Sequence, residues 1–193
     1  MGVETTETTR QRLSSASAEE TASISAAQRG DRQAFARLVE LYWPRLYRWL
    51  YHLAHDRHQA EDLAQEAFLK AMTNLERFQA GTNFRAWLFR IAHNLFANQV
   101  RASARRRSPL PDDLPDTGQG PPDLACSRET LAELAEAIER LPTDWKAALL
   151  LRVDEDLSFR QIAGILDTTE ETARWRVFKA RRQLLGELPS ENV

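Results

Sequence analysis

The sequence predicts an all-α chain: two small helical domains joined by a flexible proline-rich linker, the second containing a helix-turn-helix. Three observations predict it. Apolar residues recur at helical spacing through the long stretches, and no stretch alternates at the period of two that a half-buried strand needs. Five of the eight prolines crowd between Pro109 and Pro122, among acids and glycines. That composition cannot build a core and marks a boundary between two helical halves. Finally, Leu157 to Leu185 reads as two helices joined by a very short turn, the second strongly basic.

Residues 1–25 are rich in Thr, Ser, Glu and Ala and poor in apolar groups, which predicts a disordered tail. The N-terminal domain, 26–104, opens with a helix from Ala26 or Asp31 to Ala54. Its apolar stripe is Phe35, Leu38, Val39, Tyr42, Leu46, Trp49, Leu50 and Leu53. Pro44 falls inside and predicts a kink or break near Tyr42, because proline removes a donor and crowds the preceding turn. A second helix follows Asp56 and runs to about Phe78. It buries Ala60, Leu63, Ala67, Phe68, Ala71 and Leu75, and its other face carries Glu61, Asp62, Gln65, Glu66 and Lys70.

The loop Gln79 to Asn83 leads to a third helix, Phe84 to about Arg105, capped by Thr82 or Asn83. Trp87, Leu88, Ile91, Ala92, Leu95 and Phe96 are expected to point inward. Arg85, Arg90, Asn94, Asn98, Gln99 and Arg101 lie elsewhere on it. Arginines, amides and nearby aromatics suit single-stranded nucleic acid: cations follow the backbone, amides bond base edges and rings stack on bases. Phe78, at the loop edge, is the expected stacking ring.

The linker spans 105–126. The C-terminal domain, 127–188, begins with Leu131, Leu134, Ile138 and Leu141 as a buried face, and Pro142 suits the first turn of the next helix. That helix is expected to bury Trp145, Ala148, Leu149 and Leu151. Asp154-Glu155-Asp156 reads as a polar turn. Ser158 with Gln161 makes a capping box, and Thr168 with Glu171 a second one. Between them Asp167 stands where a left-handed residue is needed, which Asp tolerates. The last helix carries Arg174, Arg176, Lys179, Arg181 and Arg182, with no acid from Thr172 to Gly186. A helix-turn-helix lays such a second helix in the major groove. The plain alternative is a helical hairpin with a solvated basic face.

Charge distribution says more than the net charge of −2. Seven arginines and no acid lie between Arg77 and Pro111, whereas acids gather in Glu61 to Glu76 and Glu129 to Glu139. Separate basic and acidic surfaces imply more than one partner. The single Cys126 excludes an internal disulfide and a cysteine-based zinc site, and fits a reducing compartment. No apolar run reaches membrane-spanning length and no hydrophobic signal core opens the chain, so a cytoplasmic location without membrane attachment is expected. His52, His55 and His58, with Asp56, Glu61 and Asp62, could suggest a metal enzyme. Their spacing does not hold one helical face, and no nucleotide loop or nucleophile motif appears, so neither an enzyme nor a cofactor is expected.

Two elements together carry a resemblance. AEDLAQEAFLKAM (Ala60 to Met72) precedes FRAWLFRIAHNLFANQVR (Phe84 to Arg101), and LSFRQIAGILDTTEETARWRVFKARRQL follows a proline-rich linker. This pattern resembles bacterial extracytoplasmic-function sigma factors, over about Asp31 to Leu188. The resemblance implies docking on the clamp of core RNA polymerase through Glu61, Asp62, Gln65, Glu66 and Leu69. It implies that Phe78, Arg85, Arg90, Asn94, Asn98 and Arg101 hold the melted minus-ten strand of promoter DNA, Asn94 lining a pocket for a flipped base. It implies minus-thirty-five duplex contacts by Thr172, Arg174, Trp175, Arg176, Phe178, Lys179 and Arg182. The polymerase flap region and an anti-sigma factor are further partners it implies. Glu171 and Trp175 depart from the family pattern, which commonly has Gly and a small polar residue there. The competing function is an autonomous helix-turn-helix regulator, which would need a dimerisation surface.

Overall fold

The computed structural model describes residues 18–79, 82–106 and 128–187, all of whose regular structure is helical. Helix α1 covers 18–28. It is followed by α2 (Arg32–Ala54), α3 (Arg57–Asn74), a 3-10 turn (Leu75–Arg77) and α4 (Phe84–Arg106). The second domain contains α5 (Arg128–Glu139), α6 (Thr143–Val153), α7 (Phe159–Ile165) and α8 (Glu170–Glu187). Most of the expected linker lies outside the described residues.

Local chemistry explains the boundaries. Asp31 accepts from the amides of Gln33 and Ala34 to start α2, and Asp56 accepts from Gln59 to start α3. Between those two helices His55 takes φ 54° and its amide bonds the Tyr51 carbonyl. Asn83 caps α4 through the Ala86 amide at 3.1 Å. Ser158 and Gln161 form the capping box expected for α7. Asp167 does take the left-handed conformation, φ 49°. The following amide, of Thr168, bonds back to the Ala163 carbonyl at 3.0 Å. That bond closes the end of α7 as a Schellman motif. Thr168 therefore belongs to the end of α7, and the cap of α8 moves one residue on. Thr169 Oγ1 accepts from the Thr172 amide at 3.1 Å, replacing the expected pairing of Thr168 with Glu171.

Two other expectations are corrected. The segment 18–25, expected to belong to a disordered tail, is the body of α1; residues 1–17 lie outside the described ones. Ile24 is buried against the bundle and Glu20 accepts from the Tyr42 hydroxyl at 2.6 Å, so a short polar-looking segment holds through two specific contacts. Pro44 does not break α2, which runs through it without interruption. The apolar stripe on both sides of the proline packs on the same core, and that packing outweighs one missing backbone bond.

The two domains share one continuous apolar core. Helix α6 lies against α2, and α7 against α4. Trp49 of α2 donates its indole N–H to the Ala147 carbonyl of α6 at 3.4 Å and meets Phe89 of α4 edge-on at 5.3 Å. Sandwiched between α2 and α8, α6 is buried on more of its circumference than its periodicity predicts: Lys146, Ala147 and Leu150 join the expected Ala148, Leu149 and Leu151.

Candidate functional site

Helix α3 presents the acidic face. Asp62, Gln65, Glu66 and Leu69 are exposed, Leu69 at 59% and the adjacent Met72 at 49%. Ala60, Ala64, Ala67 and Ala71 hold the opposite side tight against the core. Glu66 pairs with Lys70 at 3.1 Å, a solvated i,i+4 pair of little energetic weight. Asp62 and Glu66 border a shallow cleft shared with Asn98 and Gln99 of α4. Glu61 turns to the other flank, beside Trp43, Tyr47, Arg57 and His58. Carboxylates ringing two large exposed apolar side chains form a surface suited to a basic protein partner.

On the neighbouring flank, α3, the 3-10 turn and α4 enclose a cleft of about 370 Å³. Lys70, Asn74, Arg77, Trp87, Ile91, Asn94, Leu95 and Asn98 line it. Asn98 accepts from Arg101 at 2.8 Å, which leaves its amide N–H₂ free to point elsewhere. The cleft joins one aromatic wall, two primary cations and three side-chain amides. It can take a planar heterocycle with a polar edge and hold a phosphate beside it.

Helix α8 packs on α6 and α7 through Ala173, Val177, Ala180 and Leu184. Its outer face carries Arg174, Trp175, Phe178 and Arg182, with Phe178 59% exposed. Arg174 pairs with Glu170 at 3.0 Å and lies over the Phe159 ring. Trp175 meets Trp145 edge-on at 5.6 Å, and the Lys179 ammonium stands 5.6 Å from its ring centre. Trp175 is thus half packed and half offered. The Thr172 hydroxyl is hydrogen-bonded to that of Thr169 at the helix start.

Between the domains lie two charge clusters. Lys146, only 1% exposed, uses its three ammonium protons on Glu139 Oε2 (2.7 Å), the Glu139 carbonyl (2.9 Å) and His55 Nε2 (2.9 Å). His55 therefore accepts at Nε2, and its Nδ1, 3.1 Å from Glu139, carries the proton. His52 reaches the same carboxylate. Burial pushes the Glu139 carboxyl up, but the hydrogen bonds from His52 and Lys146 outweigh it and bring it to about 2. Burial pulls Lys146 down while Glu139 pulls it up. The three occupied acceptors decide for the ammonium form. In the second cluster, Glu155, 3% exposed, stands between Arg45 of α2 and Arg85 of α4. Arg45 Nε donates to Oε1 at 3.2 Å, and its Nη2 is 2.9 Å from Oε2, outside hydrogen-bond geometry. Arg85 stands 3.7 Å away. Burial raises the Glu155 carboxyl, and the arginines oppose that.

Models of known families match the chain as Sigma-70 region 2 at residues 38–106 and Sigma-70 region 4 at residues 131–184. The RNA polymerase sigma-H factor of Pseudomonas aeruginosa is 34% identical over 176 residues, covering 83% of this chain and 89% of its own. The ECF RNA polymerase sigma-E factor of Escherichia coli K12 is 31% identical over 172 residues, covering 83% and 90%. The chain is an extracytoplasmic-function RNA polymerase sigma factor. The ECF sigma factor SigE of Mycolicibacterium smegmatis is 35% identical over 162 residues, and this chain spans 63% of that protein's length. Among solved structures, the sigma factor RpoE in complex with the anti-sigma factor NepR from Bartonella quintana matches with a TM-score of 0.64 at 26% identity. That match covers 82% of this chain and 98% of the other.

In this sigma factor region 2 is the α2–α4 bundle and region 4 is α5–α8. Four expected positions are corrected. Phe78 is not an open stacking ring: it is 5% exposed, edge-on to Phe84 at 5.4 Å and 5.1 Å from Trp87. Trp87, expected inside, is only partly buried and forms the cleft wall. The 3-10 turn after α3 swings Phe78 inward, a rotation that helical periodicity does not carry. Arg85 stands apart from Asn94 and Asn98, facing Glu155 of region 4. Arg176 is turned inward as well, pairing with Asp144 of α6 at 2.7 Å. The sequence reading missed Lys70, Asn74 and Arg77 as a group. Their i, i+4 and i+7 spacing along α3 into the turn was the available signal.

Proposed function

We propose that this sigma factor docks on core RNA polymerase through Asp62, Gln65, Glu66 and Leu69, with Glu61 at the margin of the contact. It holds the melted minus-ten strand in the α3–α4 cleft and reads the minus-thirty-five duplex with α8. The observation that carries the reading is the cleft, in which Trp87, Arg77, Asn94 and Asn98 converge beside the acidic α3 face. Trp87 supplies the stacking surface and the amides of Asn94 and Asn98 bond the edge of an unpaired base. Arg77, Arg90 and Arg101 follow the phosphates. Extruding a base costs a few kcal/mol. Stacking returns about 1–3 kcal/mol per base, so a few captured bases keep a strand open. Arg174, Trp175, Phe178, Lys179 and Arg182 form the duplex-reading face, Thr172 braces the helix start through its bonds to the capping Thr169, and Arg176 holds α8 on α6.

Catalysis belongs to the polymerase, and the chain contributes recognition in the cytoplasm. Polymerase sets the spacing between the two DNA elements. An anti-sigma factor is a further partner, covering the exposed faces of α3 and α8. Run-off transcription with purified core polymerase, followed by sequencing of the 5′ ends, tests the reading. Start sites sharing two spaced promoter elements are expected. Core polymerase that gains no promoter selectivity on addition of the chain refutes it, as does tight, palindrome-directed duplex binding by the chain alone.

A further inference from the structure

Gln28 stands at the end of α1, in a stretch where neither composition nor periodicity marks a functional residue. Its side-chain Nε2 donates to two backbone carbonyls nearly fifty positions away: Leu75 at 3.0 Å and Phe78 at 2.7 Å. A primary amide has two N–H bonds, and both are used. These carbonyls bracket the 3-10 turn that joins α3 to the α3–α4 loop, where the Phe78 amide already bonds back to Leu75 at 3.0 Å.

The Gln28 backbone is itself set firmly. Just past it the amides of Gly30 and Asp31 bond to the carbonyls of Ala27 and Ala26, at 2.9 and 3.1 Å. Gly30 takes φ +93°, the left-handed turn that ends α1 as a Schellman motif. Asp31 then caps α2. Ile24 in the core and the Glu20–Tyr42 hydrogen bond fix the rest of α1. The far end of the chain of contacts is the cleft. Phe78 is packed at 5.1 Å on Trp87, which is the aromatic wall, and Arg77 of the same turn lines the cleft opposite.

We propose that Gln28 is a positioning residue for strand capture: it clamps the turn Leu75–Phe78, and through Phe78 and Arg77 sets the shape of the cleft. It touches no DNA. The inference rests on the reading of the cleft given above. Gln28→Met keeps the side-chain length and removes both donors. Gln28→Glu replaces the donating nitrogen with an oxygen that faces two carbonyl oxygens.

The test uses the full chain assembled with core polymerase. The probe is a fluorescent single-stranded oligonucleotide with the non-template minus-ten sequence of a promoter that the holoenzyme starts from. Gln28→Met is expected to weaken strand binding about tenfold, the scale of two net hydrogen bonds, and Gln28→Glu at least as much. Affinity for core polymerase is expected to stay within about twofold of the parent, because the acidic α3 face does not touch the turn. In the free variants, the amide of Phe78 is expected to exchange faster, and the amides of Leu88 and Ala92 in the middle of α4 at the parental rate. A Phe78 amide that exchanges at the parental rate overturns the clamp. A faster amide with unchanged strand affinity overturns the positioning role. Equal losses in strand and core affinity also overturn it, because they mark a general loss of fold. If the parental holoenzyme itself fails to bind the strand, the cleft reading falls first, while the exchange of the Phe78 amide still reports whether the clamp exists.

Discussion

Removing the Glu155 carboxylate should open the two domains. Glu155 belongs to region 4 and lies between Arg45 and Arg85 of region 2. Taking one partner from a fully buried ion pair costs about 3–5 kcal/mol, because the remaining charge is stranded. Here the arginine side chains keep 34% and 24% of their exposure, so water reaches them and the cost is lower. About 2 kcal/mol is a reasonable magnitude for Glu155→Ala, which shifts the closed-to-open ratio about thirty-fold. Glu155→Gln keeps an acceptor for Arg45 and should shift it less. Spin labels at Thr73 and Arg181, in a Cys126→Ser background, report the separation of α3 from α8. The expected result is a broad, longer distance population in Glu155→Ala and a smaller one in Glu155→Gln. Arg85, released, should also strengthen binding of single-stranded DNA by the free chain. An unchanged distance distribution refutes the assignment of Glu155 as an interdomain tie. So does cooperative loss of both domains at once.

Three further outcomes follow from the geometry. Reversing Asp62 and Glu66 to lysine should weaken core polymerase binding at least tenfold, with little change in melting temperature, since both are exposed; titration of labelled core measures it. Trp87→Ala should lower strand affinity by about 1–3 kcal/mol with modest loss of stability. Phe78→Ala should cost about 3–5 kcal/mol of stability, because it empties a buried site, so a thermal melt beside strand titration separates the two rings. His93, whose Nδ1 is buried without a hydrogen-bond partner, is held below its ordinary value of 6.5 by burial. Asp144 and Asp167 oppose that shift and Arg176 adds to it. A depressed base binds its proton more weakly in the folded chain, so its contribution to stability is lost as pH falls below about 6.5. His55 acts in the same direction and the raised Glu155 in the opposite one. The change in melting temperature between about pH 7.5 and 5.5 should therefore be smaller in His93→Gln than in the parent.

What could be read without coordinates was whatever is written in short-range chemistry. The faces of α2 and α3, the Ser158–Gln161 box and the left-handed Asp167 all depend on residues within a turn or two of each other, so spacing and residue type suffice. The acidic α3 face and the basic α8 were legible for the same reason. Even there a one-residue competition decided the cap, because Thr168 was already committed to the end of α7.

Tertiary packing decided the rest. Lys146 is buried where the two domains meet, and the Trp49–Ala147, Arg45–Glu155 and Lys146–His55 contacts join residues 91 to 110 positions apart. Across a linker with no periodic pattern, many pairings of two helical bodies are compatible with the same apolar stripes. Only the fitted surfaces choose among them, and so choose which arginines stay open to solvent and which are tied up. The inward turn of Phe78 and the exposure of Trp87 have the same origin. A 3-10 turn, held from α1 by Gln28, rotates one aromatic into the core and leaves the other as the wall of the cleft.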